Sequence, residues 1–258
     1  MSGAKFCWYE LMTYEAEAAK RFYGDVVGWT ALPQETGDTP YEILAAAGRP
    51  IGGMLAMTER HREAGARPHW LGYIAVDDVD AKARAVAARG GDILHPGEDI
   101  PGVGRFSVVT DPQGAAIVLF KPLPAEDPPP EMPTMSDIPG YVTWRELLAG
   151  DGASAFDFYA DQFGWTRGDA FDMGADGMYQ LFAIDGETAG GMMTKPAAHP
   201  RPEWLYYFAV DGIGAAIDRV KAGGGRVING PMQVPGDAWI VQALDPEGVL
   251  FALLSMQA

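Results

Sequence analysis

Two glutamates are the residues of this chain best placed to do chemistry. Glu10 lies in FCWYEL and Glu146 lies in VTWREL, so each follows a tryptophan on a largely apolar segment. A buried carboxylate has to be hydrogen-bonded or paired with a charge. If burial raises its pKa, it can act as a general base and remove a proton from carbon beside a carbonyl. We therefore predict Glu10 and Glu146 as catalytic candidates.

The same two carboxylates also have a structural interpretation. Each could hold the backbone amides of a neighbouring loop, or pair with an arginine such as Arg105. We favour this structural role, because a position repeated in both halves often serves the fold itself. Both hypotheses stay open at the level of the sequence.

An internal repeat organises the chain. The segment WYELMTYEAEAAKRFYGDVVGWT at residues 8–30 returns as WRELLAGDGASAFDFYADQFGWT at residues 144–166. Such self-similarity indicates a duplication. We predict a first domain at residues 1–122, a proline-rich linker at 123–139 and a second domain at 140–258. A proline-rich ligand for another protein is the alternative for the linker.

Each half has the pattern of two β-α-β-β-β motifs. Residues 6–11 alternate as a strand requires, and Thr13 is a plausible N-cap for a helix that Gly28 ends. In the second motif, Asp78 can cap a helix that ends before Gly90. The fold class predicted is α+β, with four motifs in all. The other predicted strands of the first half are 29–32, 41–46, 51–57, 70–76, 93–94, 106–109 and 115–120.

Composition excludes several classes of function. The formal net charge is -16 and the sequence pI is about 4.5, so nucleic acid and anionic membranes would be repelled. Cys7 is the one cysteine, which excludes an internal disulfide and a cysteine-cluster zinc site, and we interpret it as a buried strand residue. With no signal-peptide pattern and no apolar run of membrane-span length, we expect a soluble cytoplasmic protein.

Three motifs resemble one family. FY-x-D-x-x-GW, AVDDVDAKARAVAARGG and DPQGAAIVLF together are similar to the vicinal oxygen chelate superfamily, which includes glyoxalase I, bleomycin-resistance proteins and extradiol dioxygenases. The resemblance covers nearly the whole chain and is nearest to two-domain bacterial members, often labelled hydroxylases. It implies that paired motifs curl their sheets into a cup that holds a ligand or a metal.

The resemblance also implies four ligand positions for a divalent metal in each half. None of the matched side chains is a competent ligand, and the remaining positions fall near Gly53 and Gly191. We therefore expect no cofactor and no metal at the usual place. The matched residues are Trp8, Leu71 and Val118 in the first half, and Trp144, Leu205 and Ala252 in the second.

A shifted metal site is an alternative. Glu10 and His69 lie two residues from matched positions, as do Glu146 and Glu203, so each keeps its strand face. Two donors in each half are too few without waters, which makes this site the weaker hypothesis. His95 is expected in a loop and His61 in a charged loop, and His61 and His199 are expected to be solvated.

The aromatic and methionine content predicts an apolar ligand site with a few polar groups. The alternative for each of these side chains is that it fills the core. Glycine pairs at 52–53 and 190–191 indicate a close approach of a ligand or of another backbone, or a bulge. The candidate ligand-binding residues are Trp8, Tyr41, Met54, His69, Tyr73, Arg105, Trp144, Tyr179, Met192, Glu203, Tyr207 and Trp239.

Three functions compete. The prediction is a small-molecule binding protein of the bleomycin-resistance kind, without the usual metal, that acts on a partly apolar organic ligand. The alternative is a glyoxalase-like lyase or isomerase, or a hydroxylase, with Glu10 or Glu146 as base. A structural role with both cups collapsed is the third. We expect a monomer, because duplication makes the chain a pseudo-dimer, and two halves that do not bind one ligand equally.

Overall fold

The computed structural model describes residues 3–34, 40–124, 133 and 137–258, and it has the four predicted βαβββ motifs. The α+β fold class is therefore confirmed. The elements of the first half are β1 Phe6–Thr13, α1 Ala16–Val27, β2 Thr30–Gln34, β3 Tyr41–Ala46, β4 Arg49–Ala56, α2 Glu59–Glu63, β5 His69–Ala75, α3 Val79–Ala88, β6 Ile93–Ile100, β7 Gly104–Thr110 and β8 Ala116–Pro122.

The second half repeats the order of the strands and longer helices. No helix among the described residues is long and apolar enough to cross a membrane. The elements are β9 Val142–Ala149, α4 Gly152–Phe163, β10 Thr166–Asp172, β11 Met178–Ile184, β12 Glu187–Thr194, β13 Glu203–Ala209, α5 Ile213–Ala222, β14 Arg226–Gln233, β15 Trp239–Leu244 and β16 Leu250–Ser255. The short 3-10 helix of this half, Gly174–Asp176, lies between β10 and β11, whereas α2 lies between β4 and β5.

The helix ends were predicted with mixed success. Gly28 ends α1 in the left-handed conformation and the Asp78 side chain accepts a bond from the N–H of Ala81, as expected. Thr13 is not the N-cap of α1, because β1 runs through it and the N-cap is Glu15. The Thr13 hydroxyl instead accepts a hydrogen bond from the Glu15 N–H, at 3.0 Å.

Two histidine predictions were wrong. His95 lies in β6 and not in a loop, because β6 is the last strand of its sheet, where a proline such as Pro96 is tolerated. His61 lies in α2, where its Nδ1 accepts a hydrogen bond from the Thr58 N–H at 2.9 Å. Helix α2 has the sequence ERHRE, with no apolar residue, and the register of β6 shifts on both sides of His95. Neither segment therefore has a clear hydrophobic period in the sequence.

The strands form two mixed eight-stranded sheets. The strand orders are β2-β3-β4-β1-β5-β8-β7-β6 and β10-β11-β12-β9-β13-β16-β15-β14. In the first sheet β1 pairs with β4 in parallel, and the matching pair in the second is β9 with β12. Most of the predicted linker, at residues 125–132 and 134–136, lies outside the described residues, so the domain division made there stays a prediction.

The chain also forms two compact units, and each combines a motif from one half with a motif from the other. The first compact unit contains Met1–Cys7, Leu71–Thr134 and Trp144–Trp204. The second compact unit contains Trp8–Trp70, Met135–Thr143 and Leu205–Ala258. The repeated sequence therefore builds the same kind of unit twice, from reciprocal pieces.

A buried chain of tryptophan, tyrosine and aspartate lies in the core of each compact unit. In the second unit, Trp70 Nε1 donates to Tyr23 Oη at 3.1 Å, and Tyr23 Oη donates to Asp245 Oδ2 at 3.1 Å. The first unit repeats both bonds, at 2.9 and 3.2 Å, through Trp204, Tyr159 and Asp111. The FY and DP motifs of the sequence thus meet from opposite halves, and their role here is structural.

Candidate functional site

Glu10 and Glu146 occupy equivalent places on strands inside the two sheets. Glu10 on β1 pairs with Gly53 on β4, and Glu146 on β9 pairs with Gly191 on β12. Both side chains are buried, with 7% and 6% of their surface exposed. A buried carboxylate is stable in such a place only when polar partners surround it.

A tyrosine from the next strand but one supplies a partner to each carboxylate. Tyr179 Oη donates to Glu146 Oε2 at 2.9 Å, and Trp144 Nε1 donates to Tyr179 Oη at 2.8 Å. We call this arrangement a Trp–Tyr–Glu group. The first half has the same group, with Trp8 Nε1 donating to Tyr41 Oη at 3.0 Å and the Tyr41 hydroxyl hydrogen-bonded to Glu10.

Glycine makes room for these tyrosines. A Cβ atom at Gly53 would lie 1.9 Å from Tyr41 Oη, and one at Gly191 would lie 2.2 Å from Tyr179 Cε1. Each tyrosine on β3 or β11 therefore reaches its glutamate across the bare backbone of β4 or β12. The sequence predicted a close approach at these glycines, but the approaching group is a side chain of the same motif.

The Tyr41 phenol is protonated, as a hydrogen-bond donor to Glu10 has to be. Burial raises the pKa of its phenol well above the usual range, and the negative charge of Glu10 raises this pKa further. The phenol thus keeps its proton at all ordinary pH values. Tyr41 acts in the group as an acceptor from the Trp8 indole and as a donor to the Glu10 carboxylate.

The two candidate methionines lie on the other side of their strands. Met54 pairs with Leu11 on β1, and Met192 pairs with Leu147 on β9. Successive side chains of a strand point to opposite faces, so these residues lie opposite the face that carries Glu10 and Glu146. Both methionines are buried, at 2% and 0% exposure, and they pack as core residues.

The remaining tyrosines lie on strands that carry matched ligand positions. Tyr73 on β5 pairs with Val118, and Tyr207 on β13 pairs with Ala252. Tyr207 belongs to a polar chain that the sequence reading missed: Gln242 Nε2 donates to Tyr207 Oη at 2.9 Å. The first half has Val108 at the position of Gln242, and this difference between the aligned halves is the signal that could have found this polar chain.

The other polar candidates have local partners. His69 Nδ1 lies 2.6 Å from the Arg67 carbonyl oxygen. Glu203 lies 2.7 Å from His199 Nε2, so the prediction of a solvated His199 was wrong: its side chain is only 17% exposed. Trp239 is half-buried on β15, where it pairs with Ser255.

Arg105 is held by carboxylates of its own motif. Its Nε and Nη2 atoms donate to Asp80 at 2.9 and 3.0 Å, and Nη1 donates to Asp99 at 2.8 Å. Nη2 also donates to the Gly97 carbonyl at 2.9 Å. Arg105 is therefore committed to this cluster and is not the partner that the structural hypothesis assigned to Glu10.

The donor chemistry at the matched metal positions does not fit a divalent ion. Four of the side chains are buried and apolar, and an indole offers only an N–H donor, which at Trp8 and Trp144 is directed to a tyrosine. Within the described ranges, no group of three or more His, Cys, Asp or Glu side chains could hold a metal ion. The four apolar residues are Leu71, Val118, Leu205 and Ala252.

Cys7 is a half-buried strand residue. Its Sγ lies 3.5 Å from the Tyr73 carbonyl oxygen, and burial raises the pKa of the thiol to about 12. A thiol with such a pKa is almost wholly protonated at neutral pH and is a poor nucleophile. This environment supports the interpretation of Cys7 as a packing residue.

Comparison with known proteins places the chain in a family. "Putative glyoxylase CFP32" of Mycobacterium tuberculosis is 32% identical over 249 residues, which cover 96% of this chain and 93% of that protein. "Anthracycline biosynthesis protein DauV" of Streptomyces sp. (strain C5) is 28% identical over 262 residues, with 97% and 92% covered. The solved Mn(II)-bound glyoxalase from Novosphingobium aromaticivorans has a similar fold, with a TM-score of 0.62 at 15% identity, over 100% of this chain and 83% of that one.

The sequence profile of one superfamily matches residues 5–119 and again residues 140–253. The matches cover both halves of the duplication and leave out the proline-rich stretch between them. This chain belongs to the glyoxalase/bleomycin resistance protein/dioxygenase superfamily.

Proposed function

We propose that the protein binds a small, partly apolar organic molecule at the sheet faces that carry the Trp–Tyr–Glu groups, without a divalent metal at the family's usual positions. The observation that carries this proposal is the repeated group itself. In each half, an indole and a phenol lie beside a buried carboxylate, so two aromatic rings adjoin a hydrogen-bond acceptor.

Such a surface suits an aromatic ligand that has polar substituents. Tryptophan and tyrosine rings supply apolar area and a face for stacking. The buried carboxylate accepts hydrogen bonds from hydroxyl groups, and a charge in this environment makes stronger hydrogen bonds than a neutral group does. The similarity to an anthracycline biosynthesis protein supports polycyclic aromatic compounds as the first class to try.

The test is an equilibrium titration of the purified full chain with the anthracycline daunorubicin, followed by the fluorescence of the ligand. We expect saturable binding that persists at high salt, because nonspecific attraction of a cationic ligand to a chain of net charge -16 is screened by salt. The Trp144→Phe and Trp8→Phe variants should each weaken binding about threefold to tenfold. Nonsaturable binding, or binding that salt abolishes, would count against the proposal.

The metal part of the proposal needs its own measurement. Elemental analysis before and after chelator treatment should find no stoichiometric divalent metal in protein that still binds the ligand. Stoichiometric metal would make Glu10, His69, Glu146 and Glu203 the residues to substitute. Native mass spectrometry of the same samples tests the proposed monomeric state.

A second candidate function is supported by the burial of Glu10 and Glu146. In a glyoxalase-like isomerase or lyase, such a carboxylate would take a proton from carbon beside a carbonyl, leaving the electron pair on the enolate oxygen. The similarity to a protein named as a glyoxylase favours the same hypothesis. Deuterium incorporation into hydroxyacetone, which NMR detects in heavy water, should be lost in Glu10→Gln or Glu146→Gln if this activity exists.

A further inference from the structure

We propose that the two halves have ligand faces of different chemistry, and that Gln242 makes the β13–β16 face selective for ligands with a carbonyl or hydroxyl oxygen. This inference rests on the proposed binding function and names the ligand chemistry at one of its faces.

Gln242 and Val108 occupy the same register position in the two halves. On β7, Val108 pairs with Val118 on β8, and Tyr73 on β5 pairs with the same valine. On β15, Gln242 pairs with Ala252 on β16, as Tyr207 does from β13. Gln242 is therefore the counterpart of Val108.

These positions lie on the face where the family places a ligand. Val118 and Ala252 are the last-strand positions that the resemblance assigned to metal ligands. Cross-strand partners share a face, so Val108 and Gln242 each lie on that same face. Both side chains are half-buried, which leaves part of each within reach of a small molecule.

In the second half this face is polar. Asn229 on β14 pairs with Gln242, and Asn229 Nδ2 donates to Gln242 Oε1 at 3.2 Å. Gln242 Nε2 in turn donates to Tyr207 Oη at 2.9 Å. The amide thus lies in the middle of a chain of neutral donors and acceptors. A ligand oxygen could join this chain or replace one of its members.

In the first half the same face has an apolar centre at Val108. Its polar groups are the Tyr73 hydroxyl and the His95 ring, whose Nε2 lies 2.6 Å from Glu98 Oε2. His95 occupies the register position of Asn229 and stacks on Phe106, with ring centroids 5.1 Å apart and an interplanar angle of 5°. Phe120 packs edge-on against Tyr73 with centroids 5.8 Å apart. Val108, at the centre of this face, offers no hydrogen bond.

The difference between Gln242 and Val108 predicts that the two faces discriminate unequally between ligands with and without an oxygen atom. A site that is built to hydrogen-bond a ligand oxygen rejects the analogue without it, because its own polar groups lose a partner. A site whose central side chain is aliphatic distinguishes the same two molecules less strongly. The β13–β16 face should therefore prefer a ketone to the hydrocarbon of equal shape, and the β5–β8 face, which has Val108 in place of Gln242, should prefer it less.

Equilibrium dialysis with 2-acetylnaphthalene and 2-ethylnaphthalene tests this, because the two probes differ at a carbonyl. In the full chain, we expect Gln242→Met to weaken ketone binding at the tighter site about tenfold and to change hydrocarbon binding less than about twofold. Gln257→Met, the same exchange at an exposed residue after β16, is the matched control, and it should leave that tighter ketone site unchanged.

The outcomes separate this inference from the binding function. If both probes bind and Gln242→Met leaves the ketone affinity unchanged, Gln242 is not selective and the inference is wrong. If neither probe binds the native chain, the proposed binding function fails together with it. Should Gln242→Met unfold, the exposed Asn229→His exchange takes its place, with an expected loss of about threefold for the ketone alone.

Discussion

Tyr179 donates its hydroxyl hydrogen to Glu146 across Gly191, a residue that has no Cβ atom to overlap the tyrosine ring. The relationship joins three adjacent strands, β11, β12 and β9. It explains why a glycine stands in the middle of a strand, where it would otherwise weaken the sheet. The same relationship holds among Tyr41, Gly53 and Glu10.

Substitution of this glycine should displace the ring. In Gly191→Ala the new methyl group would overlap the tyrosine, so we expect a loss of about 1–3 kcal/mol in the free energy of unfolding, measured with urea. Gly214→Ala is the matched control. No atom lies within 4 Å of a Cβ there, and alanine favours helix α5, so this variant should be neutral or stabilised by up to about 1 kcal/mol. Equal losses in the two variants would contradict the account.

Removal of the hydroxyl tests the hydrogen bonds. Tyr179→Phe deletes an acceptor of the Trp144 indole and a donor to the Glu146 carboxylate, so the variant should lose about 1–3 kcal/mol of stability. Because these residues share one group, the losses in Tyr179→Phe and Glu146→Gln should not add in the double variant. Strict additivity in urea unfolding would show that the two side chains act independently.

Asp245 should give the protein a pH-dependent stability. Burial raises the pKa of this carboxyl to about 6, against about 3.9 in an unfolded chain. The folded state then binds this proton more tightly than the unfolded chain does. Its contribution to the free energy of unfolding is therefore complete below pH about 4 and is lost as the pH rises through about 6. Across this pH range the free energy of unfolding of the native chain should fall by about 2–3 kcal/mol relative to that of Asp245→Asn.

The measurement is urea unfolding of the native chain and Asp245→Asn at several pH values across that window. Asp169→Asn, at an exposed position, serves as the control and should follow the native chain. A difference between native and Asp245→Asn that stays constant with pH would mean that the carboxyl titrates alike in the folded and unfolded states.

Cys7 should be unreactive in the folded protein. Because burial raises the pKa of its thiol to about 12, the thiolate is a minute fraction at pH 8. We expect labelling with a disulfide reagent to be slower than in urea-unfolded chain by about a hundredfold or more. Rapid labelling without urea would instead indicate a reactive thiol.

The repeat made much of the fold predictable. The four βαβββ motifs, the end of α1 at Gly28 and the cap at Asp78 all follow from local periods and turn residues. The strand position of His95 could not be predicted in this way. Proline and glycine, here Pro96 and Gly97, are typical of turns, and within a sheet a proline is tolerated mainly on an edge strand.

The site was predictable only in part. The sequence named Glu10, Tyr41 and Trp8 as separate candidates, but the bond between them depends on a side chain that crosses a strand. Nor could the sequence pair Tyr23 with Asp245, since the two come from opposite halves and no local pattern carries such a contact. The amide of Gln242 was not predicted, because its place beside Tyr207 depends on the pairing of β15 and β13 with β16, and no local pattern carries that pairing.

The most direct test of the central claim is native mass spectrometry of the chain mixed with daunorubicin, before and after removal of metal with a chelator. The account predicts a complex of one chain with the ligand in both samples, with equal occupancy. Loss of the complex after chelation, with recovery when Mn²⁺ is added back, would contradict metal-independent binding.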